Sequence, residues 1–220
     1  MVYITGDIHA DIKDFESRSI NKLKKGDVLI ITGDFGFIWD NSKTELKNIK
    51  KLSKKKFTIL FVEGVHENFE LLEQYEEAEI FLSKAKKIAD NIYCLNRGEI
   101  YTIENKTYFC LGGGEVEDPI ENSGSDLLNQ KSMPTDEQLQ YAVDNLQKAN
   151  KKVDIIITHE APASVKRLIR RDSNVNDINM FLDTLLHNVR YKKWYFGSLH
   201  TDRVLSEQLC CVWQDVIKVD

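Results

Sequence analysis

Along the first third of the chain, unbroken apolar runs alternate with segments whose apolar positions fall at helical spacing. Val2-Tyr3-Ile4, Val28-Leu29-Ile30-Ile31 and Phe57-Thr58-Ile59-Leu60-Phe61-Val62 are such runs, the pattern of strands covered on both faces. Between them, Ile12, Phe15, Ile20 and Leu23, and then Leu46, Ile49 and Leu52, predict helices over 12–23 and 42–55. Asp11 is positioned to cap the first of these. Strand, helix, strand, helix, strand predicts a mainly parallel sheet with helices packed against it.

The middle of the chain changes character. Residues 69–87 are predicted as helix with a loosely defined break. Ile92–Leu95, Glu99–Ile103 and Thr107–Leu111 read as an antiparallel meander, turned at Asn96-Arg97-Gly98 and Asn105-Lys106. After Gly112-Gly113-Gly114 the polar stretch 115–132 is predicted to be a long surface loop near the site. Helices over 136–149 and 177–187 and strands at 153–157 and 194–196 follow. A β-rich tail over 210–219 is expected to close a second sheet. No repeat of fixed period and no linker composition divides the 220 residues, so the chain is read as one domain, 1–220.

Composition narrows the function classes. With 42% hydrophobic residues the chain can bury a sizeable core, and a net charge of -5 gives no general attraction to nucleic acid or anionic membrane. Lysines cluster at Lys50-Lys51 and Lys54-Lys55-Lys56, which reads as a solvated helix face and its end. Cys94, Cys110, Cys210 and Cys211 contain no Cys-x-x-Cys pair, which argues against a zinc framework and predicts buried free thiols. No apolar run approaches the roughly 20 residues that span a bilayer. The sequence opens directly into a strand pattern rather than a leader, and the expected location is the cytoplasm.

The candidate chemistry lies at the strand ends. Thr5-Gly6-Asp7-Ile8-His9 follows the first apolar run, Thr32-Gly33-Asp34-Phe35-Gly36 the second, and Glu63-Gly64-Val65-His66-Glu67-Asn68 the third. Thr158-His159-Glu160-Ala161-Pro162 and Gly197-Ser198-Leu199-His200-Thr201-Asp202 follow two later strands. Ligands in parallel sheets sit off the carboxyl ends of strands. Asp7 and His9 are two apart, so on an extended chain they share a side. Carboxylates, imidazoles and water together suit a divalent ion such as Mn²⁺, Fe²⁺ or Zn²⁺. His187 lies in a predicted helix away from any motif.

This ordered set of motifs, from Asp7 to about Asp202, resembles the calcineurin-like metallophosphoesterases, above all small bacterial and phage members with a Gly-Asn-His-Glu-Asn motif. The resemblance implies an α/β fold, a four-layer αββα sandwich of two mixed β-sheets flanked by helices. It implies a hydrolase in which a metal-bound hydroxide attacks a phosphodiester or phosphomonoester. Asp7 and His9 would bind a first metal, Asp34 would bridge two metals, His159 would bind the second and His200 would return to the first. His66 would be the catalytic residue, donating a hydrogen bond or proton near the leaving oxygen. Substrates of this class are phosphorylated small molecules, nucleotides or phosphoproteins. Mn²⁺ is the favoured ion, with Fe²⁺ and Zn²⁺ as alternatives and one or two ions bound. Arg97 is a candidate phosphate contact, with an ordinary turn between strands as the alternative.

The sequence departs from the family pattern at two places. Val65 stands where the family has an asparagine ligand, and Ser198 where it has a histidine ligand. Both losses fall on the second metal. Glu63, Glu67, Glu115, Glu117 and Asp118 are candidate replacements. Two readings follow: a phosphoesterase with a weakened second site, or a member that binds a phosphorylated ligand or nucleotide without efficient turnover. A third, in which only the fold is kept as an interaction module, is opposed by the retained ligands.

Overall fold

The computed structural model describes residues 1–17, 19–115 and 131–220. The opening alternation forms as predicted: β1 (Val2–Thr5), β2 (Val28–Ile31) and β3 (Thr58–Phe61) lie side by side and parallel. α2 (Lys43–Leu52) connects the second and third, with Ser42 accepting the Glu45 N–H as its N-cap. The predicted first helix shrinks to α1 (Asp14–Ser17) and a 3₁₀ turn, Ser19–Lys22. The Asp11 carboxylate accepts from Lys13 N at 2.8 Å, so it closes a turn rather than capping a long helix.

The helix predicted over 69–87 is a correction. Only α3 (Phe69–Leu72) is helical, and the rest is a hairpin of β4 (Glu77–Ile80) and β5 (Ser83–Ala89). Glu, Lys, Ala and Leu are helix formers, and that weak preference is overridden by tertiary pairing. β4 is an edge strand of alternating exposure, and Glu77 and Glu79 stand opposite Lys86 and Lys84. Opposite charges across a pair stabilise the hairpin and guard its edge. The turn residues Phe81 and Leu82 both have positive φ, a hairpin geometry that usually draws Asn or Gly, so no turn signal marked it.

The predicted meander is also divided. β6 (Ile92–Leu95) pairs parallel with β3 and antiparallel with β5, whereas β7 (Glu99–Ile103) and β8 (Lys106–Leu111) form a hairpin in the other sheet. That sheet continues through β9 (Ile155–Thr158), β10 (Lys193–Phe196), β12 (Leu209–Cys211) and the two-residue β11 (Arg203–Val204). The tail does not only close the second sheet, because β13 (Ile217–Lys218) pairs antiparallel with β1 in the first. The strand orders are β13-β1-β2-β3-β6-β5-β4 and β11-β12-β10-β9-β8-β7, and both sheets are mixed. Of residues 115–132, Glu115 is exposed and Ser132 is buried, and 116–130 lie outside the described residues.

Three apolar clusters hold the layers together. Val28 and Ile30 face the other sheet with Ile4, Leu60, Tyr101, Cys110, Ile157 and Tyr195. Leu29 and Ile31, on the opposite face of β2, pack with Phe15 and Leu52 under the first helices. Phe109, Ile156 and Trp194 pack outward against α4 (Asp136–Lys148) and α6 (Asp177–Asn188). This is the four-layer arrangement of helices, two mixed sheets and helices. α5 (Ala163–Ile169), directly after the Thr-His-Glu-Ala-Pro motif, was not anticipated. The four cysteines are buried free thiols, in keeping with their spacing. No helix among the described residues is long and apolar enough to cross a membrane.

A polar contact at Tyr101 joins the two sheets. The buried Tyr101 hydroxyl donates to Lys84 O at 2.6 Å and accepts from Asn96 N at 2.9 Å. Removing that hydroxyl leaves both partners without it inside the protein, at a cost of about 1–3 kcal/mol. Tyr101→Phe is therefore expected to lower the urea unfolding midpoint, and an unchanged midpoint would contradict the assignment.

Candidate metal centre

Every histidine and aspartate singled out in the motifs sits just past the carboxyl end of a parallel strand. Asp7 and His9 follow β1, Asp34 follows β2, His66 follows β3, His159 follows β9 and His200 follows β10. The two sheets bring these ends together, and Asp7, Asp34 and His159 are buried there.

Glycine in the motifs makes room for these side chains. A Cβ on Gly64 would fall 2.1 Å from Asp34 Oδ1, and one on Gly33 would fall 2.1 Å from His159 Nδ1. Both are overlaps that a rigid, packed site cannot relieve. The backbone is strained as well: His9, Asp34 and His200 have φ of 48°, 48° and 45°, in the left-handed region. Surrounding bonds hold it there. Ile8 N and His9 N both donate to Asp34 O, at 3.0 and 2.8 Å. The Asp202 carboxylate accepts from the backbone of Trp213, Gln214 and Asp215, and Trp213 O in turn accepts Gly6 N at 3.1 Å. The tail thereby fixes the loop that carries Asp7.

Asp34 is the hub of the group. Its Oδ1 accepts from Val65 N at 2.7 Å and His66 N at 2.8 Å. Its Oδ2 lies 3.0 Å from His66 Nδ1, 3.7 Å from His9 Nε2 and 3.8 Å from His159 Nε2. His200 Nε2 is 3.2 Å from Asp7 Oδ2 and 3.1 Å from His9 Nε2. One ligand atom from each of Asp7, His9, Asp34 and His200 lies within 4.8 Å of the others. Two carboxylates and two imidazoles converging in this way make a donor set suited to a divalent ion. His159 offers a further nitrogen. Its Nδ1 donates to Thr32 O at 3.0 Å, which orients the ring and turns Nε2 toward Asp34.

The local charges set the protonation. Burial works against a charged His159, but the carboxylates of Asp34, Asp7 and Glu160 outweigh it and push its pKa up to about 9. The hydrogen bond to Asp7 raises His200, against a smaller effect of burial. Burial lowers His9, opposed by Asp34 and Asp7. Burial works against a charged Asp34, yet the neighbouring His159 and His66 hold its carboxyl far below the usual range.

The two positions expected from the family pattern to serve a second metal carry other side chains. Val65 keeps its backbone bond to Asp34 but presents a half-buried aliphatic side chain, and Ser198 is half-buried with φ of 58°. Among the described residues no second group of three or more acidic, histidine or cysteine ligands converges. Glu63 is ion-paired with Arg97. Glu67 is fully buried and accepts from Phe35 N at 2.8 Å, and burial and the Asp34 charge hold its carboxyl well above the usual range. Glu115 is exposed, and Glu117 and Asp118 lie outside the described residues.

Arg97 is engaged elsewhere. It pairs with Glu63 through Nε and donates to Met133 O, Gln138 Oε1, Lys131 O and Ser132 O, which accounts for all its N–H groups. It secures the chain at 131–133 and has no donor left over for a phosphate. Two elements of the site had no readable signal: the Thr32 carbonyl that orients His159, and the buried Glu160, which binds Asn179 at 2.8 Å and Lys166 at 3.4 Å.

Comparison with known proteins places this arrangement. The calcineurin-like phosphoesterase profile matches residues 1–208, and the chain belongs to that family. No curated protein is significantly similar to it. Among solved structures, it is similar to a Staphylococcus aureus protein taken to be a 5'-nucleotidase (13% identity, TM-score 0.48), covering 100% of this chain and 51% of that one. It thus spans about half the length of that protein. It is also similar to a phosphopantetheinyl hydrolase of Mycobacterium tuberculosis (12% identity, TM-score 0.46), covering 96% of this chain and 87% of that one. A protein of unknown function from Aquifex aeolicus is 16% identical, with a TM-score of 0.38 and 87% coverage of both chains. Likeness at this level bears on neither substrate nor activity.

The raised histidine pKa values carry a consequence for metal uptake. With its pKa near 9, His159 holds a proton at neutral pH in the metal-free protein, and the hydrogen bond to Asp7 makes His200 hold a proton more readily than an ordinary imidazole. A cation competes with the proton for His200, and its charge beside His159 favours proton loss there. Mn²⁺ binding is expected to release protons and to tighten as pH rises from about 6 to 9, measured by titration calorimetry in buffers of different ionisation enthalpy. Affinity that is flat across that window, with no proton release, would contradict the assignment.

Proposed function

We propose that the chain is a metal-dependent phosphoesterase working with one divalent ion, and that Asp7, His9, Asp34 and His200 hold that ion. The observation that supports it most is the convergence of those two carboxylates and two imidazoles within 4.8 Å, with His66 beside them. Mn²⁺ is the favoured ion, with Fe²⁺ and Zn²⁺ as alternatives. When bound, such an ion supplies Lewis acidity and lowers the pKa of a water it holds.

The chain's own residues do the rest. Asp34 keeps its position through the Val65 and His66 N–H groups. His66 places Nδ1 on Asp34 Oδ2, which leaves Nε2 for the ester oxygen that departs. Its side chain is 50% exposed, so a substrate can reach it. A proton or hydrogen bond supplied there stabilises the charge that develops on the leaving oxygen. The substrate is a phosphorylated small molecule, a nucleotide or a phosphoprotein, and the site of action is the cytoplasm.

A second reading, ligand binding without efficient turnover, is favoured by Val65 and Ser198. Two metals share the work of activating water and clamping the reacting oxygens, and the residues for the second are reduced here. Restoring them separates the readings. The double change Val65→Asn with Ser198→His is expected to raise bound metal and to increase kcat about tenfold or more, the scale of one strong electrostatic contact in such a site. No gain in either metal content or turnover would contradict the account of the second site.

A further inference from the structure

A cleft of about 410 Å³ opens beside the metal group. His9 and His66 line it together with Trp39 and with Ser42, Thr44 and Asn48 of the α2 N-terminal region. Trp39 is 45% exposed, although its neighbours Phe37 and Ile38 are buried. The backbone under it is fixed on both sides. Trp39 N donates to Glu45 Oε2 at 2.8 Å, and Trp39 O accepts from Asn68 Nδ2 at 2.7 Å. A large, half-exposed aromatic side chain on a fixed backbone thus lines the same cleft as His66.

The polar groups of the cleft define what fits. Three backbone donors in this region are used by carboxylates. Glu45 accepts from Trp39 N and Asp40 N, and Asp40 accepts from Ser42 N. Asp40 and Glu45 line the cleft, so a second phosphate would meet their carboxylates, and the cleft disfavours an anionic chain. Asn48 is half-buried and makes no side-chain hydrogen bond among the described residues, and neither does the exposed Thr44. An amide offers one acceptor and two donors, which matches the edge of a nucleobase, and an indole matches its face.

We propose that this cleft receives the leaving group of the substrate, and that this group is a nucleoside. The base stacks on Trp39, Asn48 reads its edge, and the ester oxygen lies at His66. The phosphorus then faces the metal group, and no further phosphate enters the cleft. The inference rests on the phosphoesterase reading for its chemistry but not for its binding, which separates the two in a test.

The test uses the full chain loaded with Mn²⁺. Adenosine is expected to quench tryptophan fluorescence saturably while ribose does not, and the quenching is expected to be lost in Trp39→Ala; Trp194 is fully buried, and that variant separates Trp39 from the half-buried Trp213 beside His200. By equilibrium dialysis, Trp39→Ala and Asn48→Ala should each weaken adenosine binding, the first about tenfold or more, the scale of one base on an aromatic ring. In turnover, kcat/KM for adenosine 5'-monophosphate should exceed that for glycerol phosphate and for phosphotyrosine, and Trp39→Ala should collapse the preference through KM. Saturable adenosine binding with no turnover of any ester would support the cleft and overturn the phosphoesterase reading. Equal turnover of the three esters with no adenosine binding would overturn the cleft and leave that reading standing. A preference for phosphotyrosine would overturn the nucleoside.

Discussion

The site turns on how one buried carboxylate is held. Asp34 is 2% exposed, yet its position is determined on every side. Two backbone N–H groups from the β3 loop fix Oδ1, three imidazoles surround Oδ2, and its carbonyl holds the loop that presents His9. None of this is available to a strand end that carries a side chain at Gly64, where a Cβ would meet Asp34 Oδ1 and its backbone nitrogen. A carboxylate inside protein is stabilised as an anion only where hydrogen bonds and opposite charge replace water. Here both are supplied by neighbouring strand ends.

The four-layer sandwich is the means of bringing those ends to one place. Parallel strands in both sheets finish on the same side, and the inter-sheet core of Ile4, Ile30, Leu60, Ile157 and Tyr195 sets their spacing. His159 comes from the second sheet and reaches Thr32 O on the first, so the site itself spans the sandwich. The tail contributes to both sheets, and through Asp202 and Trp213 it braces the Asp7 loop. Strained backbone at His9, Asp34 and His200 is tolerated because these contacts over-determine it.

Much of this was legible in the sequence, for identifiable reasons. The buried parallel strands announce themselves as apolar runs, and the chemistry-bearing residues follow each run directly, so fold and candidate ligands were readable together. What stayed hidden depends on pairing or on backbone atoms. Glu77 to Ala89 is composed of helix formers and becomes a hairpin because charge pairs and an edge position favour it. β6 and β7, adjacent in sequence, part into different sheets without a local signal. Arg97 looks like a phosphate contact in sequence and proves to be a buried clamp, because its partners Glu63, Gln138 and the carbonyls of 131–133 are far away along the chain. Trp39, beside the site, belongs to no motif and carries no signal of its own in the sequence.

The central claim is the proposed single-ion centre, in which Asp7, His9, Asp34 and His200 hold one ion and Val65 and Ser198 leave a second without its expected ligands. Metal stoichiometry tests it most directly. The protein would be stripped with chelator, reloaded with Mn²⁺, freed of excess ion and measured by elemental analysis against protein concentration. The account predicts one ion per chain. Two ions per chain would contradict it by requiring ligands beyond the group around Asp34, and none would contradict the metal assignment altogether.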